Sequence, residues 1–246
     1  MTLLETKELT KNFGSLRAID RLNFLLASGE TRAVIGPNGA GKTTLINLLM
    51  GELSPDAGEI FFERRRISRL SSHRVARRGI ARTFQIVNLF PNLTVEENIR
   101  AAAQVSQSWL RWSRSARQIT ERVLTQVRLR DKSEQRAREL SHGDQRLLEI
   151  GIALAQEPKL LLLDEPTAGL SPVETQAMIE LIGQLKKMAI LIVEHDMNVV
   201  LALADKITVL HRGQILAEGL PAEIQANAQV QEVYLRMSQF IQTKRD

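Results

Sequence analysis

Apolar residues in this chain recur in short blocks, and the spacing within the blocks changes along its length. In the first stretch Leu4, Leu9, Leu22, Phe24 and Leu26 alternate loosely with polar positions, which predicts short strands with a turn at Ala27-Ser28-Gly29-Glu30. A compact strand, Arg32-Ala33-Val34-Ile35, then leads straight into a glycine-rich loop and a helix over Thr43–Met50. A turn at Ser54–Gly58 and strands over Glu59–Phe62 and Ile80–Phe84 follow. From about Thr94 to Glu157 the apolar positions take helical spacing, with few β-branched runs. Beyond Pro158 the continuous apolar blocks Lys159–Leu163, Ala189–Val193 and Ile207–Leu210 read as buried strands, separated by helices such as Val173–Leu185. Strands alternating with helices predict a parallel sheet covered on both faces, so the fold class is α/β, with a helical insertion in the core.

Composition narrows this picture. Of 246 residues 43% are hydrophobic and only 4% aromatic, so the core is built from Leu, Ile, Val and Ala. Cysteine is absent, which excludes disulfide scaffolds and Cys-ligated metal centres. The N-terminal segment carries charges where a secretory leader would need an apolar run. Blocks such as Leu160–Leu163 and Ile190–Val193 are far shorter than the roughly 20 residues that cross a bilayer. The expectation is a soluble protein, or one held at a membrane only by partners. The net charge is +5, with a dense cluster at Arg64, Arg65, Arg66, Arg69, Arg74, Arg77, Arg78 and Arg82. No aromatic residues interleave it as a stacking surface would require, so the cluster reads as a solvated face and no nucleic acid is expected as partner.

The chemistry is concentrated in Gly36-Pro37-Asn38-Gly39-Ala40-Gly41-Lys42-Thr43, a G-x-x-x-x-G-K-[ST] string between a strand and a helix. Glycines let successive backbone N–H groups turn in around phosphates, and the helix aims its positive end at the same anion. Lys42 would neutralise the β- and γ-phosphates, and the hydroxyl of Thr43, followed by Thr44, would ligate Mg²⁺. The run Leu160–Leu163 ends in Asp164 and Glu165. Asp164 would orient the metal through water, and Glu165 would polarise the attacking water.

Leu140-Ser141-His142-Gly143-Asp144-Gln145 resembles the L-S-G-G-Q signature of the ABC ATPases, with His142 in place of the first glycine. Ser141 and the Gly143 backbone can donate to a phosphate, although the same string could be a plain helix N-cap. The resemblance runs from about Leu4 to Leu235. It implies that Gln85 senses Mg²⁺, that His195 contacts the γ-phosphate, that Phe13 stacks on adenine, and that Ser141, Gly143 and Gln145 contact nucleotide. It also implies a P-loop NTPase core with an N-terminal antiparallel β subdomain. One domain over 1–246 is expected, with 1–85 and 159–246 as the nucleotide-binding core and about 86–158 as a helical subdomain. Ser171 stands where many members of the family place an aspartate that couples two sites.

In that family the signature of one subunit completes the phosphate site of another, so the resemblance implies a hetero- or homodimer closed by ATP. It implies transmembrane permease subunits engaged through Ile86–Thr94, an indirect link to a substrate-binding protein, and a peripheral place on the cytoplasmic face of the cell membrane. Trp109 and Trp112 could reach a partner or pack the insertion. The strings Arg78–Gln85, Thr167–Pro172, Val193–Met197 and Ala217–Asn227, with Val233-Tyr234-Leu235, are similar to the ATPases of branched-chain amino-acid importers. Importers of urea and short-chain amides share these strings. Lipopolysaccharide-export ATPases and soluble ABC ATPases without a transport role stay open as alternatives.

Overall fold

The computed structural model of the protein describes residues 1–83, 89–104, 112–185 and 188–233, with side chains of the third stretch from 116 onward. Phe84, Gln85, Trp109, Tyr234 and Leu235, and the side chain of Trp112, lie outside what is described. In chain order the elements are β1 (Thr2–Phe13), β2 (Leu16–Ala27), β3 (Thr31–Ile35), α1 (Lys42–Leu49), β4 (Ala57–Phe62), β5 (Arg65–Arg66), α2 (Ser72–Ala76) and β6 (Ile80–Arg82). Then come α3 (Val95–Ala103), α4 (Trp112–Gln126), α5 (His142–Ala155), β7 (Leu160–Asp164), α6 (Pro172–Gln184), β8 (Ala189–Val193), α7 (Met197–Leu203), β9 (Lys206–His211), β10 (Gln214–Gly219) and α8 (Pro221–Ala226). Two compact units result, Met1–Ser72 with Ala189–Asp246, and His73–Met188.

The first unit holds an antiparallel sheet ordered β2-β1-β4-β5. Where short strands were expected, β1 and β2 are twelve residues each. Bulges between Thr6 and Leu9 and between Leu9 and Lys11 shift the register, which is why the apolar alternation looked broken. In the same unit β3 runs parallel to both β8 and β9, and β10, not foreseen from sequence, closes antiparallel on β9. Every residue of β3 and β8 is buried, as expected of parallel strands covered on both faces. One covering layer comes from α7 and α8, where Val200 and Ile224 pack with Ala33, Ile35, Ile207 and Val209.

The second unit contains the parallel pair β6 and β7 and the helices α3 to α6. Helix α3 begins with a capping box, in which Thr94 Oγ1 accepts from the Glu97 amide and the Glu97 carboxylate accepts from the Thr94 amide. Buried Asn98 ties down the preceding turn through both the amide and the carbonyl of Phe90. On α5, Gly151 lets the helix approach Val123 of α4 and Val127 just beyond its end, whose methyls lie 3.4 Å from where a Cβ would stand. Among the described residues no helix is long and apolar enough to cross a membrane.

Candidate functional site

In the first unit the glycine-rich loop leaves the end of buried β3 and enters α1 at Lys42. Gly36, Gly39 and Gly41 have φ of 151°, 80° and 106°, values that L side chains rarely adopt. Two of them are also forced by crowding. A Cβ on Gly36 would overlap the Leu210 carbonyl oxygen, and one on Gly41 would lie 2.5 Å from the carbonyl oxygen of Ala18. The loop is braced from outside: the Gly213 amide donates to Ala40 at 3.0 Å, and the Asp20 amide donates to Gly213 at 2.9 Å.

No side chain caps α1, because its N-cap is Gly41, so its first-turn amides are left to serve as anion donors. The Lys42 ammonium is buried inside the loop and donates to the carbonyls of Gly36 at 2.7 Å and Pro37 at 3.2 Å. Asn38, Gly39 and Thr43 are exposed, while Pro37 and Thr44 are half-buried. The result is one fixed cation held within a loop that runs into a helix start with no side-chain cap, an arrangement suited to a polyphosphate.

Two further expected residues sit in this unit. His195 follows β8 with its imidazole largely exposed, while Glu194 beneath it is buried. The Glu194 carboxylate accepts from the His195 amide at 3.0 Å and the Asp196 amide at 3.4 Å, which fixes the turn that presents the imidazole. Phe13 ends β1 with its ring exposed and the Lys11 ammonium 5.7 Å from the ring centre. Asp56 anchors that strand end: it accepts from the Asn12 amide at 2.6 Å and from Lys11 at 3.0 Å.

These bonds, the Asn12 amide first, hold the Asp56 carboxyl below its ordinary value. A depressed folded value means that the contribution is present above the unfolded value of about 4 and is lost as pH falls through the lower folded one. Asp56→Asn is therefore expected to lower the unfolding temperature at neutral pH, with the difference from the parent closing under strong acid. Parallel melting curves across pH measure this, and a pH-independent difference would contradict it.

In the second unit β7 is buried throughout and ends at Asp164. Asp164 is 2% exposed, and one of its carboxylate oxygens lies 3.4 Å from Nη2 of Arg82. This corrects the reading of the arginine cluster. Arg64, Arg65, Arg66, Arg69, Arg74 and Arg77 are exposed, but the Arg82 side chain is 6% exposed and pairs with a buried acid. Neighbouring Thr83 donates its amide to Leu162 at 2.9 Å, which aligns β6 beside β7. Removing one partner of such a pair leaves a buried charge, so Arg82→Ala is expected to cost about 3 kcal/mol of stability. Urea denaturation measures it, and an unshifted midpoint would show the pair to be energetically neutral. Glu165 follows with φ of 48°, a left-handed conformation that surrounding structure must impose on a non-glycine residue.

The expected signature opens α5. Ser141 is its N-cap, accepting from the Asp144 amide at 3.2 Å while its hydroxyl donates to the Asp144 carboxylate at 2.8 Å. The Gln145 side chain turns back to donate to the carbonyls of Ala137 at 3.2 Å and Leu140 at 3.4 Å. Gly143 is buried, and His142 is exposed. Ser171 is the N-cap of α6 in a capping box with Glu174. The string Ser171-Pro172-Val173-Glu174 carries that signal openly, as a Ser three residues ahead of a Glu with Pro at the first helical position.

A family model for ABC transporters matches residues 19–168, and one for the branched-chain amino acid ATP-binding cassette transporter matches residues 214–235. The chain belongs to the ABC transporter family of ATP-binding cassettes. It is similar to the Probable branched-chain amino acid transport ATP-binding protein LivG of Archaeoglobus fulgidus, 39% identical, with 96% of each chain covered. It is also similar to the high-affinity branched-chain amino acid transport ATP-binding protein BraF of Pseudomonas aeruginosa, 36% identical over 95% of this chain and 97% of that one.

Among solved structures, the ADP conformation of an ATP-binding cassette of an ABC transporter aligns with a TM-score of 0.84. It is 32% identical and covers 96% of this chain and 99% of that one. A dimeric cassette in a post-hydrolysis state, bound to ADP and Pi, aligns with a TM-score of 0.77 at 25% identity, covering 89% and 99%. The cassette is thus a nucleotide-binding ATPase of α/β fold.

Proposed function

We propose that this cassette hydrolyses ATP to drive an importer of branched-chain amino acids. The observation that carries the reading is likeness along nearly the whole chain to branched-chain amino acid transport ATPases, reinforced by the separate match at residues 214–235. Lys42 and the α1 amides take the β- and γ-phosphates, Phe13 offers its exposed ring to adenine, and His195 presents its imidazole to the γ-phosphate.

The Thr43 hydroxyl and the Asp164 carboxylate are hard oxygen donors that fit Mg²⁺. Arg82 holds one of the two Asp164 oxygens. When bound, Mg²⁺ would neutralise charge developing on the phosphates. Glu165 accepts the proton of the attacking water. Ser141 and Gly143 serve the nucleotide of a paired cassette, so that ATP closes the pair and hydrolysis releases it.

Membrane permease subunits engage the segment Ile86–Thr94, of which Phe90 and Leu93 are exposed apolar side chains. The cassette then sits at the cytoplasmic face of the membrane. Gentle detergent extraction of the tagged protein from its native cells, with co-purifying subunits identified by mass, tests this. Recovery with permease subunits and a binding protein for branched-chain amino acids is the expected result. Recovery with a urea or amide binding protein would replace the cargo, and recovery alone from the cytosol would overturn transport.

A further inference from the structure

The turn that opens α5 and the loop that opens α6 touch through Gly143 and Glu174, both in the second unit. The Glu174 carboxylate is pinned: Oε2 accepts from the Ser171 amide at 2.8 Å and from the Ser171 hydroxyl at 2.7 Å. Gly143 lies directly against this carboxylate. A Cβ there would overlap Oε1 and stand 2.8 Å from Cδ and 3.0 Å from Cγ. A second contact lies beside the first. Nε2 of His142 is 3.2 Å from the Cβ position of Gly169, whose φ is 76°.

Capping of α6 needs only Ser171 and Glu174, and capping of α5 needs only Ser141 and Asp144. Neither cap requires a missing side chain at 143. The bare Cα of Gly143 is required by the contact between the two turns. The same carboxyl is held below its ordinary value, first by the Ser171 hydroxyl, then by the Ser171 amide, with a smaller attraction from His142 that Asp144 opposes.

We propose that Glu174 is a positioning residue that locks the turn Ser141-His142-Gly143 to the loop Gly169-Leu170-Ser171, so that a displacement of either is passed to the other. The proposal rests on reading Ser141–Gln145 as the part that serves a paired cassette's nucleotide. Under that reading the lock joins the contact made across the pair to the loop that follows the chain's own Glu165.

Amide hydrogen exchange on the full-length, nucleotide-free chain tests the lock by perturbing one side and reading the other. Gly143→Ala displaces the Glu174 carboxylate from Ser171, and amides of 171–175, on the far side of the contact, are expected to exchange about tenfold faster. Glu174→Ala, at a half-buried position where a smaller side chain clashes with nothing, is expected to speed exchange across 141–145 by a similar factor, of order tenfold. Acceleration confined to the segment that carries each substitution would overturn the proposal, because the two caps would then be independent. If Gly143→Ala fails to fold, Glu174→Ala decides the matter alone. These rates involve no nucleotide, so they judge the lock separately from ATP binding by the parent protein, whose failure would remove the reading of the signature instead.

Discussion

Lys42→Ala protein is expected to lose nucleotide affinity by on the order of a hundredfold, or about 3 kcal/mol, while folding normally. The ammonium is the one cation inside the loop among the described residues, and it is buried there by hydrogen bonds to the Gly36 and Pro37 carbonyls. Without it, two carbonyl oxygens would face the phosphates with no charge to offset them. The α1 amides would remain, but aligned dipoles at a helix end contribute only about half a positive charge against the several negative charges of ATP. Titration of a fluorescent ATP analogue measures the effect, and a melting curve confirms the fold. An unchanged dissociation constant would mean that phosphate is held elsewhere, and the whole assignment of the site would fall.

Glu165→Gln is expected to reduce turnover by about a thousandfold while leaving ATP affinity nearly intact. The amide keeps the size of the side chain and the left-handed backbone, so the geometry that follows β7 survives. What disappears is the carboxylate that takes the proton from water. ATP therefore persists in the site, and the ATP-closed pair should accumulate as a species of doubled mass on size exclusion, absent with ADP. Single-turnover hydrolysis at the parent rate would identify another base. Low turnover without any paired species would separate hydrolysis from dimer closure.

Much of this was legible in the sequence because local rules govern it. The glycine-lysine string, the acidic end of Leu160–Leu163 and the cap at Ser141 each follow from backbone constraints acting within a few residues. Long-range pairings were less legible. Arg82 reads as one more member of an arginine-rich stretch, and only the parallel register of β6 on β7 brings it to Asp164. The bulges in β1 hid the length of the first hairpin, and β10 escaped notice because its residues are only half-buried, without the apolar run of its neighbours. Glu174 was available as a capping signal, but its contact with Gly143 depends on how α5 and α6 approach, which no spacing in the sequence encodes.

The brace on the phosphate loop has a consequence for biosynthesis. Gly36 is seated against Leu210, and Ala40 is held by Gly213, so a loop encoded near the start of the chain is shaped by residues encoded near its end. A ribosome must finish the β9–β10 hairpin before the loop has its walls. Nascent chains halted before that hairpin would then carry the whole glycine-rich loop and Lys42, yet lack the walls that shape them.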